Sequence, residues 1–314
     1  MLSKPWIKTG ITLVVLTAIL YFFITTLQKN WNEVSEIGFQ FRVSFIAALC
    51  CFFLAVLVSG YLWGKIVTSL DNSKRIIHLE FIRVHIGSWL QKYIPGQVSS
   101  FLGKLLWGIE RNYSKKMITT SFLYENVFLL YSSILISTPV LIYFSLDELA
   151  IYSWRFLIVF IFFLSTGVIL HKNTFIKVLN GVLSVFKRKS IPAEFILEPS
   201  KIAFFVLMFT VPRLLNGIGF MIIVHALYTV SFETAVVSIA TYIFAGVIGI
   251  LAFFVPSGIG VREGIIVLLL TPYLGVSGAI IVSIYARFLT IITDILLALI
   301  YVVIGKIGKI EHND

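Results

Sequence analysis

Charged residues are scarce in this sequence. Only 13% of its 314 residues are Asp, Glu, Lys or Arg, whereas 59% are hydrophobic and the mean hydropathy is +0.99. Soluble domains carry roughly 25% charged residues, so this composition excludes a soluble globular protein. Apolar segments long enough to cross a bilayer recur along the chain, which predicts a single integral membrane domain over residues 1–314.

Cysteine is also rare, and the common catalytic motifs are missing. Cys50 and Cys51 are adjacent inside an apolar segment, which excludes a disulfide framework. The sequence has no HExxH, paired CxxC, GxSxG or GxxxxGK(S/T) pattern. The five histidines are scattered, although His78 and His85 are one heptad apart. We therefore expect no metal, no cofactor and no enzymatic activity.

The net charge of +10 has a different meaning in a membrane protein than in a soluble one. Basic residues concentrate in two segments, 65–116 and 171–201, which is typical of cytoplasmic loops facing anionic lipid. The first segment carries nine of them: Lys65, Lys74, Arg75, Arg83, Lys92, Lys104, Arg111, Lys115 and Lys116. We expect contact with the lipid bilayer rather than nucleic acid, in the cytoplasmic (inner) membrane of a bacterium.

The apolar segments predict an all-α, polytopic helix bundle. Full spans are expected at 10–27, 43–63, 117–144, 151–170, 202–228, 235–255 and 279–304. A short apolar run at 265–270 ends at Thr271 and Pro272 and gives at most a half-span helix. The bundle therefore has seven spans if the 265–278 region re-enters the membrane and eight if it crosses.

Two turns rich in proline and glycine interrupt this pattern. Residues 92–100, KYIPGQVSS, echo residues 253–261, FFVPSGIGV, which open a longer break ending at Gly264. Proline lacks an N–H and glycine frees the backbone, so both turns should break a helix or re-enter the membrane. They divide the chain into halves, about 1–150 and 151–314, in a pattern that allows an inverted repeat. We expect the function to lie between the two turns.

A helical pattern leads into the first turn. Leu79, Ile82, Ile86, Trp89 and Tyr93 recur at helical spacing, with polar residues on the other faces. Such a helix could lie on the membrane surface or tilt into the protein as one arm of a re-entrant pair. The sequence leaves both arrangements open.

Six ionisable residues fall within or beside the apolar segments: Glu125, Arg213, Arg262, Glu263, Arg287 and Asp294. A charge at the centre of a membrane helix costs about 2.5–3.5 kcal/mol on insertion scales, so these side chains should face inward. Arg287 and Asp294 are seven residues apart and share a helical face. They could form internal salt bridges, or the arginines could bind an anion such as a lipid phosphate.

The two turns and the segment YARFLT at 285–290 resemble the transmembrane region of lysylphosphatidylglycerol synthases. They also resemble the wider flippase-like family of stand-alone membrane proteins built on that region. The resemblance implies lipid translocation, and it assigns the ligand site to Pro95, Gly96, Pro256, Gly258, Gly260, Arg262, Glu263 and Arg287.

Two departures from the family pattern affect what the resemblance implies. The bifunctional synthases append a soluble aminoacyl-transferase domain that this sequence lacks after its last span, so we expect no synthase activity. The first turn also lacks the glycine run or following arginine of the family pattern, and Lys104 would take that arginine's place.

The leading hypothesis is a lipid flippase-like protein that binds an anionic phospholipid or polyprenyl-phosphate headgroup. Arg262 and Arg287 would contact the phosphate, while Glu263 and Asp294 orient them or relay protons. One alternative is a membrane-embedded transferase acting on a lipid-linked substrate, with Glu263 as base. Another is a non-catalytic partner subunit of an envelope glycosyltransferase. Association with itself or with an envelope-biosynthesis partner is compatible with all three.

Overall fold

The computed structural model describes residues 42–71, 78–93, 98–145, 193–252 and 256–310, with a few helical positions between 174 and 181. Within these residues the protein is all-helical. Seven helices of 13 residues or more are present: α1 (Ser44–Leu70), α2 (His78–Leu90), α3 (Val98–Glu110), α4 (Lys115–Ser145), α5 (Pro199–Leu227), α6 (Phe232–Leu251) and α7 (Val261–Ile310). Three short 3₁₀ segments, Gln91–Tyr93, Ala193–Phe195 and Pro256–Gly258, lie between them.

Five of these helices, α1, α4, α5, α6 and α7, are long and apolar enough to cross a membrane. They correspond to the spans predicted at 43–63, 117–144, 202–228, 235–255 and 279–304. The spans predicted at 10–27 and 151–170 lie outside the described residues, as do Pro95 and Gly96. The polytopic all-α architecture is confirmed, while the total of seven or eight spans stays a prediction.

The last helix differs from its predicted form. A straight helix of 50 residues would be about 75 Å long, more than twice the thickness of the hydrocarbon core. Gly275 divides α7, with φ 71° and ψ 169°, a conformation open to glycine because it has no Cβ. The preceding segment, 261–274, runs through Thr271 and Pro272, where the apolar run ends. It rises about 21 Å, close to the predicted half-span.

Helix α1 contacts α2, α4, α5 and α7. Its inner face carries Phe45 and Phe52, which belong to a core of buried side chains shared with α5, α6 and α7. Aromatic rings fill much of that core, and Phe220 stacks on Tyr242 with centroids 4.7 Å apart. This packing holds α5 and α6 against α1.

Helices α2 and α3 form a pair that is too short to cross a bilayer singly. Thirteen residues rise about 20 Å, whereas the hydrocarbon core is about 30 Å thick. Two reciprocal hydrogen bonds join them: Ser88 Oγ donates to Ser100 O at 2.9 Å, and Ser100 Oγ donates to Ser88 O at 2.8 Å. These hydrogen bonds hold α2 and α3 together as a hairpin, with the first turn between them.

Helix α2 packs into the protein, while its place on the membrane surface or as one arm of a re-entrant pair stays a prediction. Ile86 is fully buried, and α2 contacts both α1 and α7. The contact with α1 is close because Gly60 and Gly64 are four residues apart on one face, the small-residue spacing that lets membrane helices approach. A Cβ added at Gly64 would lie 2.8 Å from Phe81 Cβ.

Replacing Gly64 with alanine should therefore separate α1 from α2. Overpacking of this kind costs about 1–3 kcal/mol, because Phe81 must leave its position against the helix. The expected result is a lower midpoint in thermal or SDS unfolding of the purified protein. Gly264→Ala is the matched control, since a Cβ there meets nothing within 4 Å. Equal midpoints for the two variants would contradict the close helix contact.

Candidate functional site

A cavity lies where the two broken turns meet. The 3₁₀ segment Gln91–Tyr93, at the start of the first turn, contacts the 3₁₀ segment Pro256–Gly258 of the second. The cavity has a volume of about 190 Å³, and all seven helices contribute to its lining. Each α-helix that precedes a turn ends five residues before the turn's proline, at Leu90 and Leu251. The two halves of the chain are therefore alike at this point.

The second turn is shaped by backbone conformations that only certain residues adopt easily. Ser257, Gly258 and Gly260 all have positive φ, at 54°, 65° and 81°. Gly258 lies so close to α6 that an added Cβ would be 2.9 Å from Gly249 Cα. Because neither Gly249 nor Gly258 has a side chain, the turn lies directly on α6. This contact sets the position from which α7 begins.

Glu263 stabilises the start of α7. Its Oε2 accepts a hydrogen bond from the backbone N–H of Gly260 at 2.7 Å, in the manner of a capping-box glutamate. Its Oε1 lies 3.6 Å from Nη1 of Arg287. Glu263 thus contacts one of the two arginines it was expected to orient, from a position beside the cavity lining.

Three arginines from two helices line the cavity: Arg213 on α5, and Arg262 and Arg287 on α7. Each has a buried nitrogen without a hydrogen-bond partner, Nε in Arg213 and Arg262 and Nη2 in Arg287. The Arg262 guanidinium also stacks over the ring of Tyr242, 4.4 Å from its centroid. Within the described residues neither Arg213 nor Arg262 pairs with a carboxylate. These side chains can therefore donate to an anion in the cavity.

Asp294 forms an ion pair that joins the first turn to α7. Its carboxylate lies 2.8 and 3.0 Å from Lys92 Nζ, and it accepts a hydrogen bond from Trp89 Nε1 at 2.9 Å. Lys92 also lies over the Trp89 ring, 4.1 Å from its centroid. Burial lowers the pKa of Lys92 to about 8, although Asp294 opposes the shift. Asp294 thus contacts Lys92 and Trp89, and its expected role in orienting the arginines stays a prediction.

A second charged cluster lies deeper, where α2, α3 and α4 meet. Lys104, only 1% exposed, forms an ion pair with Glu125, whose Oε1 lies 2.9 Å from His85 Nδ1. The ammonium group also lies 4.2 Å from the centroid of the Trp63 ring. Burial lowers the pKa of both Lys104 and His85, and contact with Glu125 opposes both shifts. Lys104 is thus the counterion of Glu125 at the cavity lining, and its predicted role in place of a ligand-binding arginine stays a prediction.

The structure brings most of the predicted site residues together. The cavity lining includes Lys104, Glu125, Arg213, Gly258, Arg262, Arg287 and Asp294. Gly260 and Glu263 form the adjoining start of α7, and Pro256 begins the 3₁₀ segment of the turn. Pro95 and Gly96 lie outside the described residues.

Sequence reasoning did not assign His85, Trp89, Lys92 or Tyr242 to the site, although all four line the cavity. His85 was noted only for its heptad spacing from His78 and for the polar face of α2, and Lys92 only as a basic residue at the start of the first turn. Their spacing of seven residues from each other, leading into a turn, could have indicated a shared inward face. Tyr242 gave no signal beyond its polar hydroxyl in an apolar segment.

A family model for the lysylphosphatidylglycerol synthase TM region matches residues 9–298 of this chain. A comparison with curated proteins finds no similar sequence. The match covers nearly the whole chain and includes every described residue that lines the cavity. It agrees with five apolar helices long enough to cross a membrane. This multi-pass integral membrane protein therefore belongs to the family of the lysylphosphatidylglycerol synthase transmembrane region.

Proposed function

We propose that this protein binds the headgroup of an anionic lipid in the cavity between its two broken turns and moves that lipid between leaflets. The bilayer in question would be the cytoplasmic membrane of a bacterium, with basic loops that attract anionic headgroups to the cytoplasmic side. On this proposal the protein is a transporter and has no catalytic residues.

The observation that carries the proposal is the convergence of Arg213, Arg262 and Arg287 on one cavity, each with a buried donor that lacks a protein partner. An unsatisfied buried donor costs about 1–3 kcal/mol, and more when it is charged. A bound phosphate would supply acceptors for all three, because guanidinium groups bind phosphate oxygens in planar, bidentate geometry.

The half-span helices support transport in particular. Broken helices at corresponding positions of two halves are typical of transporters, where they surround a binding site near the middle of the membrane. Here the α2–α3 hairpin and the segment 261–274 are both about 20 Å long, and both contribute residues to the cavity lining. We propose that both re-enter the membrane and that rearrangement between them opens the cavity to one leaflet or the other.

The two alternative functions draw less support. A transferase would use Glu263 as base, but both of its carboxylate oxygens are engaged, by the Gly260 N–H and by Arg287. A partner subunit would use its membrane charges to contact another protein, but Arg213, Arg262 and Arg287 face the cavity. The flippase-like function agrees with both observations: Glu263 holds Arg287 and the start of α7, and the three arginines face the cavity.

Translocation of a fluorescent anionic phospholipid in liposomes tests this function. We expect Arg262→Gln to lower the rate by about 10-fold or more, because a lost charged hydrogen bond is worth about 1.5–3 kcal/mol. Lys201→Gln is the matched control, since it removes one exposed cation from α5. It should leave the rate unchanged.

Wild-type liposomes that move the lipid no faster than protein-free liposomes would count against the proposal. An equal loss of rate in the two variants would also count against it, because that result would assign the effect to surface charge. Both proteins should be checked for equal reconstitution and equal unfolding midpoints.

A further inference from the structure

The charges that line the cavity divide into balanced and unbalanced groups. Lys92 is paired with Asp294, and Lys104 is paired with Glu125, which also contacts His85. Moving a proton within either lysine–carboxylate pair leaves the charge of that pair at zero. These two pairs therefore contribute no net charge to a ligand site.

The three arginines are balanced only in part. Arg287 has one carboxylate near it, Glu263, at 3.6 Å. Arg213 and Arg262 have none among the described residues, and Tyr242, below the Arg262 guanidinium, is a neutral aromatic ring. Counted over the described residues, the cavity therefore holds two positive charges in excess of its carboxylates. Uncompensated charge away from water is costly, so a matching ligand should supply two negative charges.

We propose that the site is built for a terminal phosphate group that carries two or more negative charges, a phosphomonoester or a diphosphate, in preference to a phosphodiester. This inference rests on the proposed function and specifies its ligand. A phosphodiester such as that of phosphatidylglycerol carries one negative charge and leaves one guanidinium uncompensated. A phosphomonoester carries about −1.5 to −2 at pH 7 and matches the excess.

The number of acceptors agrees with the charge. A terminal phosphate has three non-bridging oxygens, whereas a phosphodiester has two. The cavity lining offers three buried guanidinium donors without partners, one each on Arg213, Arg262 and Arg287, besides the unpartnered Nε2 of His85. Three oxygens can accept from all three.

The same phosphate chemistry could come from a lipid or from a water-soluble molecule. Apolar side chains also line the cavity, among them Phe52, Val56 and Ile243. These suit the hydrocarbon that follows a lipid phosphate and offer nothing to inorganic phosphate. We therefore assign the phosphate to a lipid, such as phosphatidic acid or a polyprenyl phosphate.

The test compares two lipids with identical acyl chains, phosphatidic acid and phosphatidylglycerol, binding to the purified full chain by native mass spectrometry. At pH 7.5 we expect phosphatidic acid to bind at least about 10-fold more tightly. At pH 5.5 the phosphomonoester takes up a proton, since its second pKa is near 6. Its advantage should then fall to about threefold or less.

The protein also has groups that titrate or carry charge at the cavity, and phosphatidylglycerol controls for them. His85, Lys92, Lys104, Glu125, Tyr242 and Asp294 line it beside the three arginines, with Glu263 next to them. Any change in their charge acts on both lipids, so the affinity for phosphatidylglycerol at the two pH values reports how far the site itself changes. Inorganic pyrophosphate, added as a competitor, separates a soluble ligand from a lipid.

A charge variant provides a second and independent readout. Arg213→Gln removes one of the two uncompensated charges and should lower the preference at pH 7.5 to about threefold or less. Arg262→Gln should do the same and serves if the first variant fails to fold. Lys201→Gln, on the exposed side of α5, should keep the wild-type preference.

The outcomes separate this inference from the function on which it rests. Equal affinity for the two lipids, both lost in Arg262→Gln, would overturn the charge preference and leave an anion site in place. A preference that persists at pH 5.5 and in Arg213→Gln would overturn it as well. If neither anionic lipid binds more tightly than phosphatidylcholine, both proposals fail. Displacement of phosphatidic acid by equimolar pyrophosphate would overturn the lipid assignment.

Discussion

Lys104→Met is expected to lower the free energy of unfolding by about 3–5 kcal/mol, the usual loss when one partner of a buried ion pair is removed. The reason is that Glu125, 5% exposed, would keep its charge without the ammonium group beside it. His85 could compensate only by taking up a proton in a site where burial already lowers its pKa. Reversible SDS unfolding of the purified protein measures this loss.

Two further variants test the physical reason. Lys104→Met combined with Glu125→Gln removes both charges and should recover much of the lost stability, because no uncompensated carboxylate remains. Arg111→Gln breaks the exposed Arg111–Glu80 pair, 2.7 Å long, and should cost less than about 1 kcal/mol. A double variant no more stable than Lys104→Met would show that the cluster acts by packing and not by charge.

Gly258→Ala is expected to destabilise the protein by about 2–4 kcal/mol and to weaken lipid binding. Part of this loss comes from the backbone, because an alanine held at the φ of 65° found at Gly258 is strained by about 1–2 kcal/mol. The rest is overpacking, because the new Cβ would lie 2.9 Å from Gly249 Cα and 3.1 Å from its carbonyl oxygen. The turn would move away from α6 and carry Arg262 with it.

Gly249→Ala is the matched control for the same contact. A Cβ on Gly249 would meet its nearest neighbour, Arg262 Cβ, at 3.7 Å, which is ordinary van der Waals contact. Its unfolding midpoint and its lipid affinity should stay close to those of the wild type. If Gly258→Ala also keeps both, the turn does not depend on close approach to α6.

Composition and local pattern were enough to predict the all-α membrane architecture and the helix break at the second turn. The membrane class follows from the shortage of charge, and the second turn follows from a proline and three glycines within nine residues. The ends of elements were harder to place. The apolar run of the half-span helix ends at Pro272, but a proline inside a membrane helix is tolerated, and the break lies at Gly275.

The sequence predicted the site through its charges, but it could not predict their partners. The cost of burying charge correctly indicated that Arg262, Arg287 and Asp294 face inward. It could not show that Asp294 pairs with Lys92, 202 residues away, because that contact depends on how the two halves pack. Tyr242 was missed for the same reason, since its role beside Arg262 exists only in the folded bundle.

The central claim is that the arginines of the cavity hold an anionic lipid. Native mass spectrometry of gently extracted protein tests it most directly, by identifying the lipids that copurify with the wild type and with Arg262→Ala/Arg287→Ala. We predict that the wild type retains one anionic lipid that the double variant loses. The same unselective lipid mixture on both proteins would contradict the claim and leave the arginines with a structural role only.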